Sequence, residues 1–462
     1  MRLTWLCLLL WSSAHAAEWS YRASIDEAAR MTLRVCAPAG TALRLSSSTP
    51  AGAYVEVDAA RWEQRDDGRT LHWRGAGHCG SLRVDLMRLA RSGRRGVGLM
   101  VGPDVLVWPE ALLWWPADRA AGIDLQLDLP SGWSASLPWP RNADGHYHLG
   151  DTPRDWPGLI AIGTLRLQRL RAGSGEIELG VLGGLPDEEQ TRMHDWIAHS
   201  AGLLRSLGGL PVPRVQVLVV PLPGDGGPVP WGQNTRAGMG GVHFFVHPRQ
   251  SMQSFVDDWT AAHEFSHLLH PYLGADRWMA EGLASYYQNL LRARAGDISS
   301  DQAWANLLAG FERGRRDTAS GLTLADLASD MRRHHAYMRV YWAGAAYWLQ
   351  TDVELRRLTQ GRQTLDQALR DYAACCLPSH RRWTADEFAA RLDQLTGHNV
   401  FAPAAQAAAA ATAFPSMDAW YAQLGLALDA KRSYAGRREA DWSAIRDAIL
   451  PPVEARGAGL QH

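Results

Sequence analysis

Lysine is nearly missing from this chain: Lys431 is the only one, and arginine supplies the other basic residues, which reads as genome composition more than function. A surplus of charge is missing too, with 47 basic against 48 acidic side chains over 462 residues. That balance excludes the positive field of a nucleic-acid binder and the polybasic patch of a protein held on an anionic membrane. Long apolar runs are absent after the first residues, so no later segment reads as a membrane-spanning helix. No internal repeat is present, and none of the five cysteines has the spacing of a Cys-based zinc site.

What is there begins at the N-terminus. Met1-Arg2 is a short positive end, Leu3 to Trp11 an apolar core and Ala14-His15-Ala16 a small-x-small cleavage site, the pattern of a secretory signal peptide over 1–16. The apolar run is too short to span a bilayer comfortably, so a cleaved leader with a mature start at Ala17 is the expectation, and Cys7 leaves with it. The protein is then periplasmic or secreted. An oxidising compartment predicts a Cys36–Cys79 disulfide, since both residues fall in one strand-rich region. Adjacent Cys375 and Cys376 are harder to bridge, because disulfide geometry prefers a wider separation of the two Cα atoms. They are read as structural, with a redox-active pair as the alternative.

Residues 17–185 show short alternating runs: Met31–Val35, Leu82–Leu86, Ile123–Leu127 and Glu176–Leu179. Period-two alternation broken by Gly and Pro predicts an antiparallel β-sandwich. The tryptophans of Val107–Pro116 are expected to fill a sheet core or a seam between domains, in preference to lining a cleft. At Asp187 the period changes. Met193, Trp196, Ile197, Ala201 and Leu204 recur at helical spacing, acidic residues occupy the first turn, and Gly208-Gly209 ends the run. A strand over Val215–Val220, a Gly/Pro-rich loop to Trp231 and a second strand over Gly241–Val246 follow. The class is α+β, with a catalytic domain over 186–300 and a helical C-terminal region over 301–462. In that region Ala404–Ala413 reads as a linker or surface helix, and Met417–Leu426 returns to a packed helix.

The chemistry concentrates in His263-Glu264-Phe265-Ser266-His267, an H-E-x-x-H run. Residues four apart share a helix face, so His263 and His267 can present two imidazoles to one Zn2+ ion while Glu264 points toward a neighbouring water. A catalytic zinc takes three protein ligands and keeps a fourth position for water. Glu281, in Trp278-Met279-Ala280-Glu281-Gly282-Leu283, is the candidate third ligand. Glu264 is then the general base for hydrolysis of an amide bond. His270 is read as an exposed residue at the helix end, and His243 and His247 as lying near the cleft or on the surface. His334-His335 have a minor claim to assist an oxyanion.

Small sheet, metal helix and helical bundle is the order of a thermolysin-like unit, and here the chain resembles the gluzincin metallopeptidases. Trp278–Tyr286 is similar to their third-ligand segment, and Val340-Tyr341-Trp342-Ala343-Gly344-Ala345-Ala346 resembles their Tyr-x-Lys-Gly-Ala element. The resemblance implies that Tyr341 stabilises the tetrahedral intermediate. Tyr347–Arg356 and Thr364–Leu369 look most like the glycyl aminopeptidase family, which usually carries a PDZ domain; the tail after Leu426 is too short for one. Ala343 stands where that family often has lysine. Gly238, Met239, Gly240 and Gly241 occupy the region where related aminopeptidases hold the substrate's amine with an acid, and this run has none. Those four residues are read as a substrate-binding edge strand, small enough for an extended peptide to pair closely, or else as a flexible loop.

The leading expectation is a zinc peptidase, aminopeptidase or endopeptidase, acting on peptides or proteins, with no nucleic-acid partner and no statement on oligomeric state. The alternative is a non-catalytic peptide- or protein-binding protein that keeps the fold. A third reading, zinc as a staple between two helices, predicts that chelation unfolds the chain.

Overall fold

Strand alternation builds the N-terminal part. The computed structural model describes residues 18–452 apart from 94–95, 118–121, 151, 154 and 318–320; the expected signal peptide lies outside the described residues. The chain divides into two compact units. The first takes residues up to Met100 with Val105–Trp133 and Trp139–Asp155, and the second takes Val101–Asp104, Ser134–Pro138 and everything from Trp156 onward.

In the first unit β1 (Trp19–Ile25), β2 (Arg30–Cys36), β3 (Val55–Glu56), β4 (Cys79–Asp85), β5 (Ile123–Asp128) and β6 (Tyr147–Leu149) form a sheet in the order β6-β5-β1-β2-β4-β3. Trp19, Tyr21, Ala23 and Ile25 point inward and their neighbours outward, as a half-buried strand requires. The sheet is not wholly antiparallel, in correction of the expectation: β5 runs parallel to β1 because it returns to the sheet after a long excursion instead of a hairpin. A second sheet is made of Arg44–Ser46, Trp62–Arg65, Thr70–Trp73 and Trp115–Pro116. The two sheets touch where the Trp62 indole donates to the Ser81 carbonyl at 3.1 Å. Trp114 and Trp115 are buried core residues. Cys36 and Cys79 sit directly opposite each other on β2 and β4 and are bonded.

The second unit is built on β7 (Arg166–Ala172), β8 (Gly175–Val181), β9 (Arg214–Pro221), β10 (Trp231–Thr235) and β11 (Gly241–Val246), in the order β7-β8-β9-β11-β10. Glu176–Leu179, expected in the N-terminal sandwich, therefore belongs to this sheet, paired in parallel with β9. β8, β9 and β11 run parallel, and β10 closes the edge antiparallel to β11. The helix α1 (Asp187–Gly202) covers the sheet through Trp196, which packs on Phe244 of β11 and on Phe255.

The remaining helices include α2 (Thr260–Ser266), α3 (Arg277–Ala295), α4 (Ser300–Arg316), α5 (Tyr337–Thr359) and α6 (Leu365–Cys376). α3 and α5 pack tightly: the Trp348 indole donates to the Met279 carbonyl at 2.8 Å, and the Tyr286 hydroxyl to Asp352 at 3.0 Å. Asp352 also accepts from Arg356 and from the backbone of Leu365, so its buried charge is fully partnered. The closest approach is at Gly282 and Gly344, where a Cβ on either would run into the backbone of the other helix. The Ala-rich stretch is a helix, Phe401–Ala410. Met417–Leu426 is helical only over Asp418–Leu424; Leu426–Leu428 leaves the helix at Gly425 to pair with Tyr434–Arg437.

The vicinal cysteines also differ from expectation. Cys375 and Cys376 are bonded to each other at the end of α6, where the chain turns into extended backbone at Leu377 and no further helical turn constrains them. Among the described residues no helix is long and apolar enough to cross a membrane.

Candidate metal centre

α2 is short, and all of it is buried. His263 and Glu264 lie on it, and His267 follows in a single 3₁₀ turn, His267–Leu269, that keeps the imidazole on the same side. Glu281 comes from the first turns of α3. One nitrogen from each histidine and one carboxylate oxygen of Glu281 lie within 4.8 Å of one another. Glu281 Oε2 is 3.2 Å from His263 Nε2 and 3.4 Å from His267 Nε2.

Both ring orientations are fixed from behind. His263 Nδ1 donates to Gln288 Oε1 at 2.8 Å. His270 Nδ1 lies 2.6 Å from the Pro271 carbonyl, which only accepts, so that nitrogen carries the proton. Burial holds His270 neutral, far below the usual histidine range, leaving Nε2 as an acceptor for His267 Nδ1–H at 3.0 Å. Both Nε2 lone pairs therefore turn toward a carboxylate. Two lone pairs and an anion converging in a buried site repel one another unless a cation lies among them, and the N, N, O donor set is one that zinc takes. The residues fit the ion. Despite burial, the His263 imidazole is pushed upward by the Glu281 carboxylate, and the two histidines hold Glu281 far below the usual carboxylate range. His270 is thus not the exposed helix-end residue expected from the sequence: the chain leaves the 3₁₀ turn as extended backbone there and folds the ring back under His267.

Glu264 is 8% exposed, and burial raises its carboxyl above the usual range against the opposing pull of both histidines. Gly232 of β10 backs onto it: a Cβ there would stand 2.6 Å from Glu264 Cγ and 2.8 Å from Thr260 Cγ2. Tyr341, on α5, stacks on the His263 ring at 5.9 Å with the planes 6° apart. Burial and its hydrogen bond to Glu281 push the hydroxyl upward, so it stays a proton donor through neutral pH. Trp259 meets His263 edge-on and is otherwise exposed.

The glycine run is placed differently from the expectation. Gly238, Met239 and Gly240 form a turn with left-handed φ at both glycines, tied by Met239 N–H to the Pro138 carbonyl at 2.8 Å. Gly241 starts β11, an interior strand paired on both sides, so neither offers a free edge. The edge strand that lies against the metal helix is β10, which the sequence presents as the end of a loop because Trp-Gly-Gln-Asn-Thr has no apolar alternation. His243 is likewise not on the surface. It is fully buried between Gln216 and Gln233, its pKa pushed down to about 3 by burial. No contact joins the described His334 or His335 to the centre. Arg236, one residue past β10, donates from Nη2 to the His267 carbonyl at 2.7 Å and faces Glu264, and burial pulls its pKa down to about 10.

The sequence reading passed over Gln288, Gly232, Trp259 and Arg236. Two carried a signal: Gln288 lies seven positions after Glu281, on the same face of α3, and Trp259 four before His263. Replacing His270 by Ala is expected to weaken zinc binding about 10–100-fold with the fold intact, measured by competition with a chromophoric chelator.

No protein-family model matches the chain, and no curated protein matches it by sequence. Among solved structures it is similar to an aminopeptidase N family protein from Idiomarina loihiensis, with a TM-score of 0.65 and 15% identity over 89% of this chain and 79% of that one. It is also similar to a variant of a two-domain M1 zinc metallopeptidase bound to L-arginine, with a TM-score of 0.51 and 13% identity over 87% of this chain and 95% of that one. At such identities it is the fold that is shared: this chain has the fold of these two solved structures.

Proposed function

We propose that this protein is a zinc peptidase, exported to the periplasm or the medium, that cleaves peptide bonds by water activation with Glu264 as general base. The observation that carries the reading is the convergence of two tautomer-locked imidazoles and Glu281 beside a buried Glu264 and the Tyr341 hydroxyl. Zinc held by His263, His267 and Glu281 would lower the pKa of a bound water toward ~7 and polarise the scissile carbonyl. Glu264, raised by burial, is matched to accept the water's proton and hand it to the leaving amine. Tyr341 donates to the developing oxyanion, and β10, antiparallel and open on one side, pairs with the extended substrate. The second unit is read as a thermolysin-like catalytic domain, and the sequence pattern around Tyr347–Arg356 supports a likeness to the glycyl aminopeptidases.

An aminopeptidase needs an anion for the substrate's free amine. β10 carries Gln233 and Asn234 and no carboxylate, and Gln233 is committed to His243. The digest therefore has to separate end-trimming from internal cleavage. Metal analysis of the purified protein with mass spectrometry of a peptide library tests the whole reading: zinc near one per chain and new termini in the library support it. A chain that binds no zinc and cleaves nothing is not a zinc peptidase; one that binds peptides without cutting them fits the binding-protein alternative. Tyr341→Phe should cost roughly 100-fold in kcat with KM little changed, as loss of one oxyanion donor does.

A further inference from the structure

β10 alternates its side chains across the sheet, and Gly232 shows which face meets the metal helix, because its Cβ direction runs into Glu264 and Thr260. Asn234 shares that face, and Arg236 follows one step beyond the strand's end. Both are left under-used. Asn234 Oδ1 and Nδ2 are each shut from solvent without a hydrogen-bond partner. A buried amide left unpaired costs about 1–3 kcal/mol, which a folded chain tolerates where a ligand completes the bonds.

Arg236 spends one N–H on the His267 carbonyl. No acceptor for its other nitrogens is found among the described residues, and the residue is only partly buried. No carboxylate lies within ion-pair distance of it among the described residues, although Glu264 is near enough to act on it electrostatically. Tethering the end of a short helix needs a single N–H. A fork of five donors placed half-buried beside the general base, with a vacant amide two positions back on the same face, is suited to planar, two-point recognition of an anion.

Resting on the peptidase reading above, we propose that Arg236 and Asn234 form a carboxylate-recognising subsite. It selects peptides that carry a carboxylate close to the scissile bond. In a peptide that group is either an Asp or Glu side chain or the free C-terminus, and the chemistry of the subsite is the same for both. The arginine pairs with the carboxylate oxygens, and the Asn234 side chain, shut from solvent where it now lies, turns outward so that its Nδ2 donates to one of them and its Oδ1 accepts a substrate N–H.

The test uses full-length protein with Glu264→Gln, loaded with zinc, and calorimetric binding of matched peptides. One pair differs by a free or amidated C-terminus, the other by Glu or Gln at successive positions. The expected result is a preference of at least ~10-fold for the carboxylate member of one pair, consistent with a charge-assisted hydrogen bond, and the pair that shows it identifies the source. In Arg236→Gln the ratio should fall to within about 2-fold of unity, and Arg236→Lys should recover part of it. Asn234→Ala, which breaks no hydrogen bond within the protein, should lower the ratio and carries the test if Arg236→Gln fails to fold. Absence of any preference in the Glu264→Gln protein, or a ratio unchanged in both Arg236→Gln and Asn234→Ala, overturns the proposal. Cleavage by the chain with Glu264 intact is read separately: a protein that shows the preference yet cuts no peptide keeps the subsite and loses the peptidase reading.

Discussion

Glu264→Gln should abolish measurable peptide hydrolysis, with a loss of roughly 10²–10⁴-fold in kcat, while zinc content and thermal stability stay near those of the parent chain. The substitution is nearly isosteric, and Glu264 is not among the three groups that converge on the metal position. It does remove the carboxylate beside that position that is left to take a proton among the described residues, since Glu281 is committed to both histidines. Burial lifts the Glu264 carboxyl above its usual range while His263 and His267 pull against the rise, which makes it a stronger proton acceptor than a solvated carboxylate. Kinetics on a peptide identified in the library digest, with zinc measured on the same sample, provide the check. Unchanged turnover in Glu264→Gln would remove the proposed mechanism at its centre.

The second large effect lies away from the chemistry. Gly344→Ala should destabilise the second unit by roughly 3 kcal/mol or more, seen as a fall in Tm on the order of 5–10 °C, and should lower zinc affinity with it. The added methyl would meet the Trp278 carbonyl and the Cα of Gly282, which are backbone and cannot swing aside as a side-chain end can. Only by parting α3 and α5 could the chain make room. Glu281 sits next to Gly282 and Tyr341 three residues before Gly344, so parting the helices separates the proposed third ligand from the proposed oxyanion donor. Gly361→Ala, at a glycine with open space around its Cβ direction but left-handed φ, is a useful contrast: it should cost only about 1 kcal/mol of backbone strain and leave zinc binding alone. Thermal unfolding followed by circular dichroism, with metal content, distinguishes the two. A Gly344→Ala protein with the parent's Tm and zinc would show that the helix crossing is not what positions the site.

Local patterns could be read because their partners are near in sequence. Helical spacing puts His263 and His267 on one side whatever surrounds them, and the short apolar runs Val215–Val220 and Gly241–Val246 mark two strands that the structure contains as parts of β9 and β11. Where the partner is remote, the sequence misleads. β10 has no apolar alternation because it is an edge strand, so it passes for the end of a loop; the glycine run beside it looks like a flexible edge and is a turn. His270 looks like a solvated helix end, and only the path of the chain at Pro271 turns it under His267.

By itself, the sequence determined the candidate donor set and the proposed base: the identities and spacing of His263, Glu264, His267 and Glu281 admit zinc-assisted hydrolysis before any contact is known. Tertiary structure decided which strand faces that chemistry, which nitrogens are free to bind, and how near Tyr341 comes to Glu281. These depend on hydrogen bonds and backbone approaches between segments far apart in the chain, such as the meeting of Gly282 and Gly344, and no local periodicity encodes them.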